Sequence, residues 1–403
     1  MRAVIEKGRA CGTISAPPSK SLAHRLLIAA ALAEGESLVR GISDCEDVLA
    51  TVDCLRALGA EIEVSGDTAT VRGFDPRRSS PTDLLSARES GSTLRFLLPL
   101  ALLSGNEAKF VGAGRLMERP MEVYEEICKK QGLLFLRDGG ITVKGPMRGE
   151  DFSLRGDVSS QFITGMLFAL PFLGGDRRIH ITTDIESKSY IDLTLRAMNE
   201  FGVGAVWEND TTLFVPEGAK YKPREITVEG DYSGAAFPDA LNLFGGEVCV
   251  LGLSEESLQG DRVYGKYYGQ LSQGKATLSI KDCPDLGPIL FAVAAAKHGA
   301  LITETRRLRI KESDRARVMA EELAKFGAHV TVEEDSVRIE PCALHAPREP
   351  LFGHGDHRIV MSLAVLCTLY GGEILGAEAV AKSYPCFFED LGRLGIGVKL
   401  YEA

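Results

Sequence analysis

The chain has 403 residues, 45% of them hydrophobic and 25% charged, and carries a net charge of −10. That composition belongs to a globular protein large enough for two or three domains with substantial cores. The acidic balance excludes nucleic acid and anionic membranes as partners, because those need broad basic fields, so any bound anion must be small and held locally. Nine cysteines are scattered singly with no CxxC pair, which fits neither a zinc site nor a disulfide framework and predicts reduced, mostly buried thiols. Met1-Arg2-Ala3-Val4-Ile5-Glu6 lacks an apolar signal core and no uncharged run reaches membrane-spanning length. The cytoplasm is the expected compartment.

The first chemically loaded element is Pro17-Pro18-Ser19-Lys20-Ser21, which leads into an apolar helix over 22–33 with Arg25 one turn beyond Ser21. The Lys-Ser pair is reminiscent of a Walker A loop, but the glycines that loop needs are absent, which excludes nucleotide binding by that route. A helix, a glycine, a strand, a turn and a second strand then follow over 55–73. The pattern recurs over 127–145, 195–218, 323–341 and, cut short, 391–403. Gly59, Gly132, Gly202, Gly327 and Gly395 mark the period, and a degenerate copy over 264–282 fills the one long gap, giving six copies. Each unit also carries a second helix, over 92–103, 160–172, 286–296 and 359–370 in four of them, apolar all round and therefore buried. Helices inside and sheets outside are expected.

Polar starts of these buried helices are where chemistry would collect. Glu89-Ser90-Gly91-Ser92-Thr93-Leu94-Arg95 offers a glycine that lets a ligand approach the backbone. Arg119-Pro120, Ser159-Ser160-Gln161, Gly355-Asp356-His357-Arg358 and Lys382-Ser383-Tyr384-Pro385 repeat the theme. The densest is Leu308-Arg309-Ile310-Lys311-Glu312-Ser313-Asp314-Arg315, where Ser313 or Asp314 can cap the following helix while Lys311 and Arg315 hold an anion at its positive end. Each start alone fits capping or a surface ion pair. Several together, in an acidic chain, point to an anion site with acid-base groups built in.

Taken in order, SKSLAHR (19–25), SGSTLR (90–95), RPM (119–121), SSQ (159–161), SKSYI (187–191), PD (284–285), LRIKESDR (308–315), GDHR (355–358) and AKSYP (381–385) resemble the enolpyruvyl transferase family over nearly the whole chain. The resemblance implies an α/β, two-domain inside-out barrel, each domain three repeats of a βαβαββ unit. One domain would be 19–227 and the other 1–18 plus 228–403, with the active site in the cleft between them. The implied reaction moves the enolpyruvyl group of phosphoenolpyruvate to the 5-hydroxyl of shikimate 3-phosphate, releasing phosphate, in aromatic amino-acid biosynthesis. It implies a monomer that needs no metal or organic cofactor.

By the family pattern, Lys20, Gly91, Arg119, Gln161, Arg315, Arg358 and Lys382 would surround phosphoenolpyruvate. Lys20, Ser21, Arg25, Ser159, Ser160, Ser187, Tyr190, Asp285 and Lys311 would hold shikimate 3-phosphate. Two adjacent anions repel, so several cations in one place make sense for this pair. Asp285 is the candidate base and Glu312 the candidate acid, with Lys20 able to share either role. Three residues depart from the pattern: Glu89 stands where an amide is common, Phe96 where proline is frequent, and Arg307 where an asparagine can line the site. A carboxylate at Glu89 calls for a partner such as Arg88 or Arg119.

Three other readings compete. The related transferase acting on a UDP-amino sugar typically carries a reactive cysteine shortly before its Arg-Pro, where this chain has Gly112-Ala113-Gly114-Arg115. Cys128 lies on an apolar helical face and reads as core. A non-catalytic sensor of phosphorylated metabolites would have no use for Asp285 and Glu312. An RNA-end cyclase would want a nucleophilic histidine and a basic surface, whereas His357 reads as a support for Arg358.

Overall fold

The computed structural model describes residues 1–81 and 83–402. Two compact units emerge, one of Pro18–Glu229 and one of Met1–Pro17 with Gly230–Ala403, the last residue lying outside the described range. The repeat copy read over 391–403 therefore loses Ala403.

The described residues of the unit Pro18–Glu229 form six α-helices: α1 (Lys20–Ala31), α2 (Glu46–Leu58), α3 (Gly91–Ala101), α4 (Glu122–Gln131), α5 (Ser160–Ala169) and α6 (Lys188–Glu200). Of these, α1, α3 and α5 are buried almost throughout. Serine side chains fix where they begin. Ser19, Ser90 and Ser159 each accept a hydrogen bond from a first-turn N–H, so α1 and α3 start ahead of their apolar runs. The run expected to be helical to 172 leaves the α-helix at Ala169 and closes as a 3-10 turn over Leu170–Phe172, because Pro171 has no N–H to continue the ladder.

Three four-stranded sheets accompany these helices, and all share one order. In the first, Glu225–Thr227 runs parallel to Glu36–Arg40, which pairs antiparallel with Thr68–Arg72, which pairs antiparallel with Glu61–Ser65. Burial alternates along Glu36–Arg40, as a strand with one face on the core requires. The strand at 225–227 comes from the far end of the unit and completes the sheet of its first repeat.

The other unit contains α7 (Tyr232–Leu243), α8 (Tyr264–Gln273), α9 (Gly287–Ala296), α10 (Arg315–Ala324), α11 (His357–Tyr370) and α12 (Phe387–Arg393). Helices α9 and α11 are buried along nearly their whole length. Two sheets repeat the same strand order, and in one of them Arg2–Ile5 stands between Gly372–Leu375 and Val398–Tyr401, where a hairpin's second strand would otherwise lie. The degenerate copy over 264–282 keeps its helix but forms one strand, Ala276–Ser279, which joins the next sheet. Its own sheet is reduced to Glu247–Leu251 and Cys11–Ser15. The described strands thus form six separate sheets rather than one closed hydrogen-bonded barrel.

None of the nine cysteines, all within the described residues, is in a disulfide. Cys45, Cys54, Cys128, Cys283 and Cys367 are buried, whereas Cys11, Cys249 and Cys386 are exposed. No helix among the described residues is long and apolar enough to cross a membrane.

Candidate active site

In the unit Pro18–Glu229, candidate side chains lie at the beginnings of α1, α3, α5 and α6. Lys20, the first residue of α1, pairs with Asp47 of α2 at 2.8 Å. One turn on, Arg25 is buried and its guanidinium is fully oriented. It donates to the Ser21 carbonyl at 2.6 Å, the Tyr190 carbonyl at 3.0 Å and Thr194 Oγ1 at 2.9 Å. Phe96 covers it, with the guanidinium carbon 5.0 Å from the ring centroid. Burial brings the Arg25 pKa down to about 10, and the charge is retained at neutral pH.

Gly91 opens α3 in a crowded place. A methyl group there would come within 2.9 Å of Arg119 Nη1, 3.4 Å of Arg95 Nη1 and 3.5 Å of Gln161 Oε1. Gln161 is held on both sides, accepting from Arg95 at 2.7 Å and donating to Ser92 Oγ at 3.0 Å. Gly91, Arg119 and Gln161, remote in sequence, are therefore neighbours. Ser159 caps α5 and Ser160 is its first residue. Ser187 precedes α6 in the left-handed region at φ 54 and ψ 51, and is buried. For a serine that conformation costs on the order of 1–3 kcal/mol, a strain that accumulates at functional sites.

The unit containing Gly230–Ala403 holds a second cluster, and here the acids are interleaved with the bases. Arg315 is 1% exposed and touches three carboxylates: Asp356 at 2.8 Å, Asp285 at 2.8 Å and Glu312 at 2.6 Å. Asp285 also accepts from Lys311 at 3.1 Å and from Arg358 at 3.1 Å. Arg358 reaches further, to Ser233 Oγ at 2.6 Å and the Asp285 carbonyl at 3.2 Å. Lys382 donates to the Gly355 carbonyl, one residue before Asp356. Capping roles divide cleanly: Asp314 caps α10, Asp356 caps α11, and Ser313 donates to Asp356 Oδ2 at 3.0 Å. Burial pulls Lys311 down to about 8, with Asp285 pulling it partly back up.

Sequence pattern alone gives no role to Asp47, Arg95 or Ser233, and it marks Asp356 as part of a helix start without identifying it as the anion that anchors Arg315. Asp356 was findable, since an aspartate before a buried helix is a cap by default. Arg88 binds Glu46 and Asp53, while the Glu89 carboxylate lies against Gly114, where an added methyl would approach Glu89 Oε2 within 2.6 Å. Phe96 is buried and serves as the lid on Arg25. No group of three or more potential metal ligands occurs among the described residues.

The family model described as EPSP synthase (3-phosphoshikimate 1-carboxyvinyltransferase) matches residues 5–391. The chain belongs to the EPSP synthase family. A relative named 3-phosphoshikimate 1-carboxyvinyltransferase from Clostridium kluyveri is 39% identical over 411 residues, covering 95% of each chain. One of the same name from Clostridium botulinum is 38% identical, covering 97% of this chain and 96% of that one. Among solved structures, an EPSP synthase from Acinetobacter baumannii superposes with a TM-score of 0.79 over 99% of this chain and 100% of that one, at 24% identity. The enolpyruvyl transferase NikO from Streptomyces tendae superposes at 0.73 with 15% identity, over 99% and 98% of the two chains. At those identities the superpositions establish the fold, which for an EPSP synthase family member is two units of helices and repeated sheets.

Proposed function

We propose that this protein transfers the enolpyruvyl group of phosphoenolpyruvate to the 5-hydroxyl of shikimate 3-phosphate, releasing phosphate, with both clusters serving the one reaction. The observation that carries the reading is the cluster at Arg315. Three cations, Lys311, Arg315 and Arg358, surround one partly exposed carboxylate, Asp285. The cations suit anionic substrates and the carboxylate suits a hydroxyl proton.

Addition joins the substrate oxygen to C2 of phosphoenolpyruvate as the hydroxyl proton leaves and a proton reaches the methylene carbon. Elimination removes a proton from that carbon, re-forms the double bond and breaks the bond to the phosphate oxygen. Asp285 takes the hydroxyl proton, Glu312 delivers the proton to carbon, and Lys20 shares either task. Lys20, Gly91, Arg119, Gln161, Arg315, Arg358 and Lys382 bind phosphoenolpyruvate. Ser21, Arg25, Ser159, Ser160, Ser187, Tyr190, Asp285 and Lys311 bind shikimate 3-phosphate with Lys20.

Phosphate release on mixing the two substrates in EDTA tests the reading directly. Turnover is expected to survive the chelator, because side-chain cations supply the anion clamp. Complete loss in EDTA, restored by magnesium, would refute that. Replacing shikimate 3-phosphate by a UDP-amino sugar is expected to abolish release.

Two further outcomes follow from the geometry. Gly91→Ala places a methyl against Arg119 and Gln161, so the KM for phosphoenolpyruvate should rise about tenfold or more while that for shikimate 3-phosphate stays put. Lys311 titrates at about 8 in the folded protein and near 10.5 when unfolded. As pH rises through 8 the native lysine loses its charge, so anion affinity falls there, by up to about tenfold per pH unit. The same shift adds stability between pH 8 and 10.5, since the unfolded chain then binds more protons. Calorimetric Kd values for shikimate 3-phosphate from pH 7 to 9.5 should show the break, and Lys311→Arg, which stays charged, should remove it.

A further inference from the structure

Helices α2, α4 and α6 each place one buried hydroxyl between two of the buried helices of their unit, and the three hydroxyls are related by the repeat. Thr51, Tyr124 and Thr194 each lie eight residues ahead of the repeat glycine at Gly59, Gly132 or Gly202. Thr51 links α1 to α3 through His24 Nδ1 at 2.7 Å and Thr93 Oγ1 at 2.7 Å. Tyr124 links α3 to α5, its O–H lying 2.7 Å from the Arg95 carbonyl and 3.0 Å from the Phe162 carbonyl. Thr194 links α5 to α1 through Thr164 Oγ1 at 2.8 Å and Arg25 Nε at 2.9 Å. His24, Arg95 and Thr164 are themselves equivalent, each five residues beyond the serine cap of its helix.

Hydrogen counting gives each pin a definite direction. Thr194 donates its one proton to the Tyr190 carbonyl at 2.9 Å, so it accepts from both Arg25 and Thr164 and its capacity is full. In the Thr51 chain, Thr93 donates to Ser90 Oγ at 2.8 Å, Thr51 donates to Thr93, and His24 must donate from Nδ1. That leaves Nε2 of His24 as a buried acceptor without a partner, consistent with the neutral ring that burial and the nearby Lys20 and Arg25 charges enforce. Gly165 serves the Tyr124 pin, because a methyl there would stand 2.2 Å from the Arg95 carbonyl and 2.4 Å from the Tyr124 hydroxyl.

The fold does not need hydroxyls at this position. Eight residues ahead of Gly327 and Gly395, in the other unit, stand Met319 and Phe387, both buried and apolar. The same place in the repeat can be filled by packing alone, which is ordinarily cheaper than burying a polar group. The first turns of the pinned helices carry Lys20 on α1, Gly91 on α3, and Ser160 and Gln161 on α5, with Arg25 one turn further along α1.

We propose that Thr51, Tyr124 and Thr194 are positioning residues, a repeat-related set of hydroxyl pins that fixes α1, α3 and α5 against one another so that their first turns hold the substrates in register. The inference rests on the substrate assignment given above, and the pins divide by substrate. Thr194 orients Arg25, and so serves shikimate 3-phosphate. Tyr124 sets the α3–α5 spacing at Gly91 and Gln161, and so serves phosphoenolpyruvate.

The test is a set of near-isosteric substitutions read by separate KM values and by melting temperature. Thr194→Val should raise the KM for shikimate 3-phosphate about tenfold, the scale of one lost hydrogen bond to a charged group, and leave the KM for phosphoenolpyruvate within about twofold. Tyr124→Phe should show the opposite split. Thr194→Ser keeps the hydroxyl and loses a methyl, so its melting temperature should fall while its KM stays near wild type. Wild-type KM values in both Thr194→Val and Tyr124→Phe, or a Thr194→Ser variant as impaired as Thr194→Val, would overturn the proposal, because packing alone would then account for these residues. If Thr194→Val does not fold, Tyr124→Phe decides by the same criterion. Arg25→Gln separates this inference from the site assignment beneath it: an unimpaired Arg25→Gln overturns both, whereas an impaired Arg25→Gln beside a normal Thr194→Val overturns the pins alone.

Discussion

Asp285→Asn is expected to lower kcat by about 100-fold or more while shikimate 3-phosphate still binds. The carboxylate is surrounded by donors on both oxygens, Lys311 and Arg315 at Oδ1 and Arg358 at Oδ2. An amide keeps one acceptor and places its NH2 against a cation, so some loss of affinity accompanies the loss of the base. The informative quantity is therefore the ratio of the two effects. Steady-state kinetics with calorimetry for each substrate separates them, and wild-type kcat in the purified variant would remove Asp285 from the chemistry. Glu312→Gln should give a loss of similar size, with its hydrogen bond from Arg315 preserved through the amide oxygen.

Asp356→Ala is expected to cost the most stability of any single change in this cluster. The side chain is fully buried, accepts from Ser313 and from two nitrogens of Arg315, and caps α11 through the Arg358 N–H. Removing it leaves Arg315 buried with part of its compensation gone, a change of about 3–5 kcal/mol for a broken buried pair, with about 1 kcal/mol more for the lost cap. Asp356→Asn keeps the cap and should recover only that smaller part. Urea unfolding monitored by circular dichroism gives the difference as a shift in midpoint. An alanine variant within about 1 kcal/mol of wild type would mean that Asp285 and Glu312 suffice to hold Arg315.

The repeat was legible because its punctuation is steric. Gly59, Gly132, Gly202, Gly327 and Gly395 all adopt positive φ, between 68° and 124°, a region where a side chain is strained, so the helix-ending glycine survives in copies that share little else. Helix starts were legible for the same kind of reason, since Ser19, Ser90 and Ser159 do local work within their own first turns. Two kinds of feature were not. The missing hairpin of the degenerate copy and the borrowed strand Arg2–Ile5 depend on pairings that local pattern does not encode. Asp47, Thr51 and Thr194 are short polar residues inside helical runs, and their partners can be far away in sequence, 169 residues in the case of Arg25 and Thr194. Charge and motif pointed to the cations and to Asp285 and Glu312; the parts that Asp47, Thr51 and Thr194 play emerge only when the helices are packed.

The placement of Arg2–Ile5 sets a schedule. Its partners are Gly372–Leu375 and Val398–Tyr401, so at about 5–20 residues per second a ribosome finishes them roughly 20–80 s after the strand has been made. In that interval Pro18–Glu229, an uninterrupted stretch of chain whose three sheets are closed by its own strands, can complete its folding. The early strand meanwhile has bare backbone edges and no partner. Synthesis thus runs through one finished body with an unfinished one held open on both sides of it, and Gly372–Leu375 and Val398–Tyr401 admit a strand made long before them.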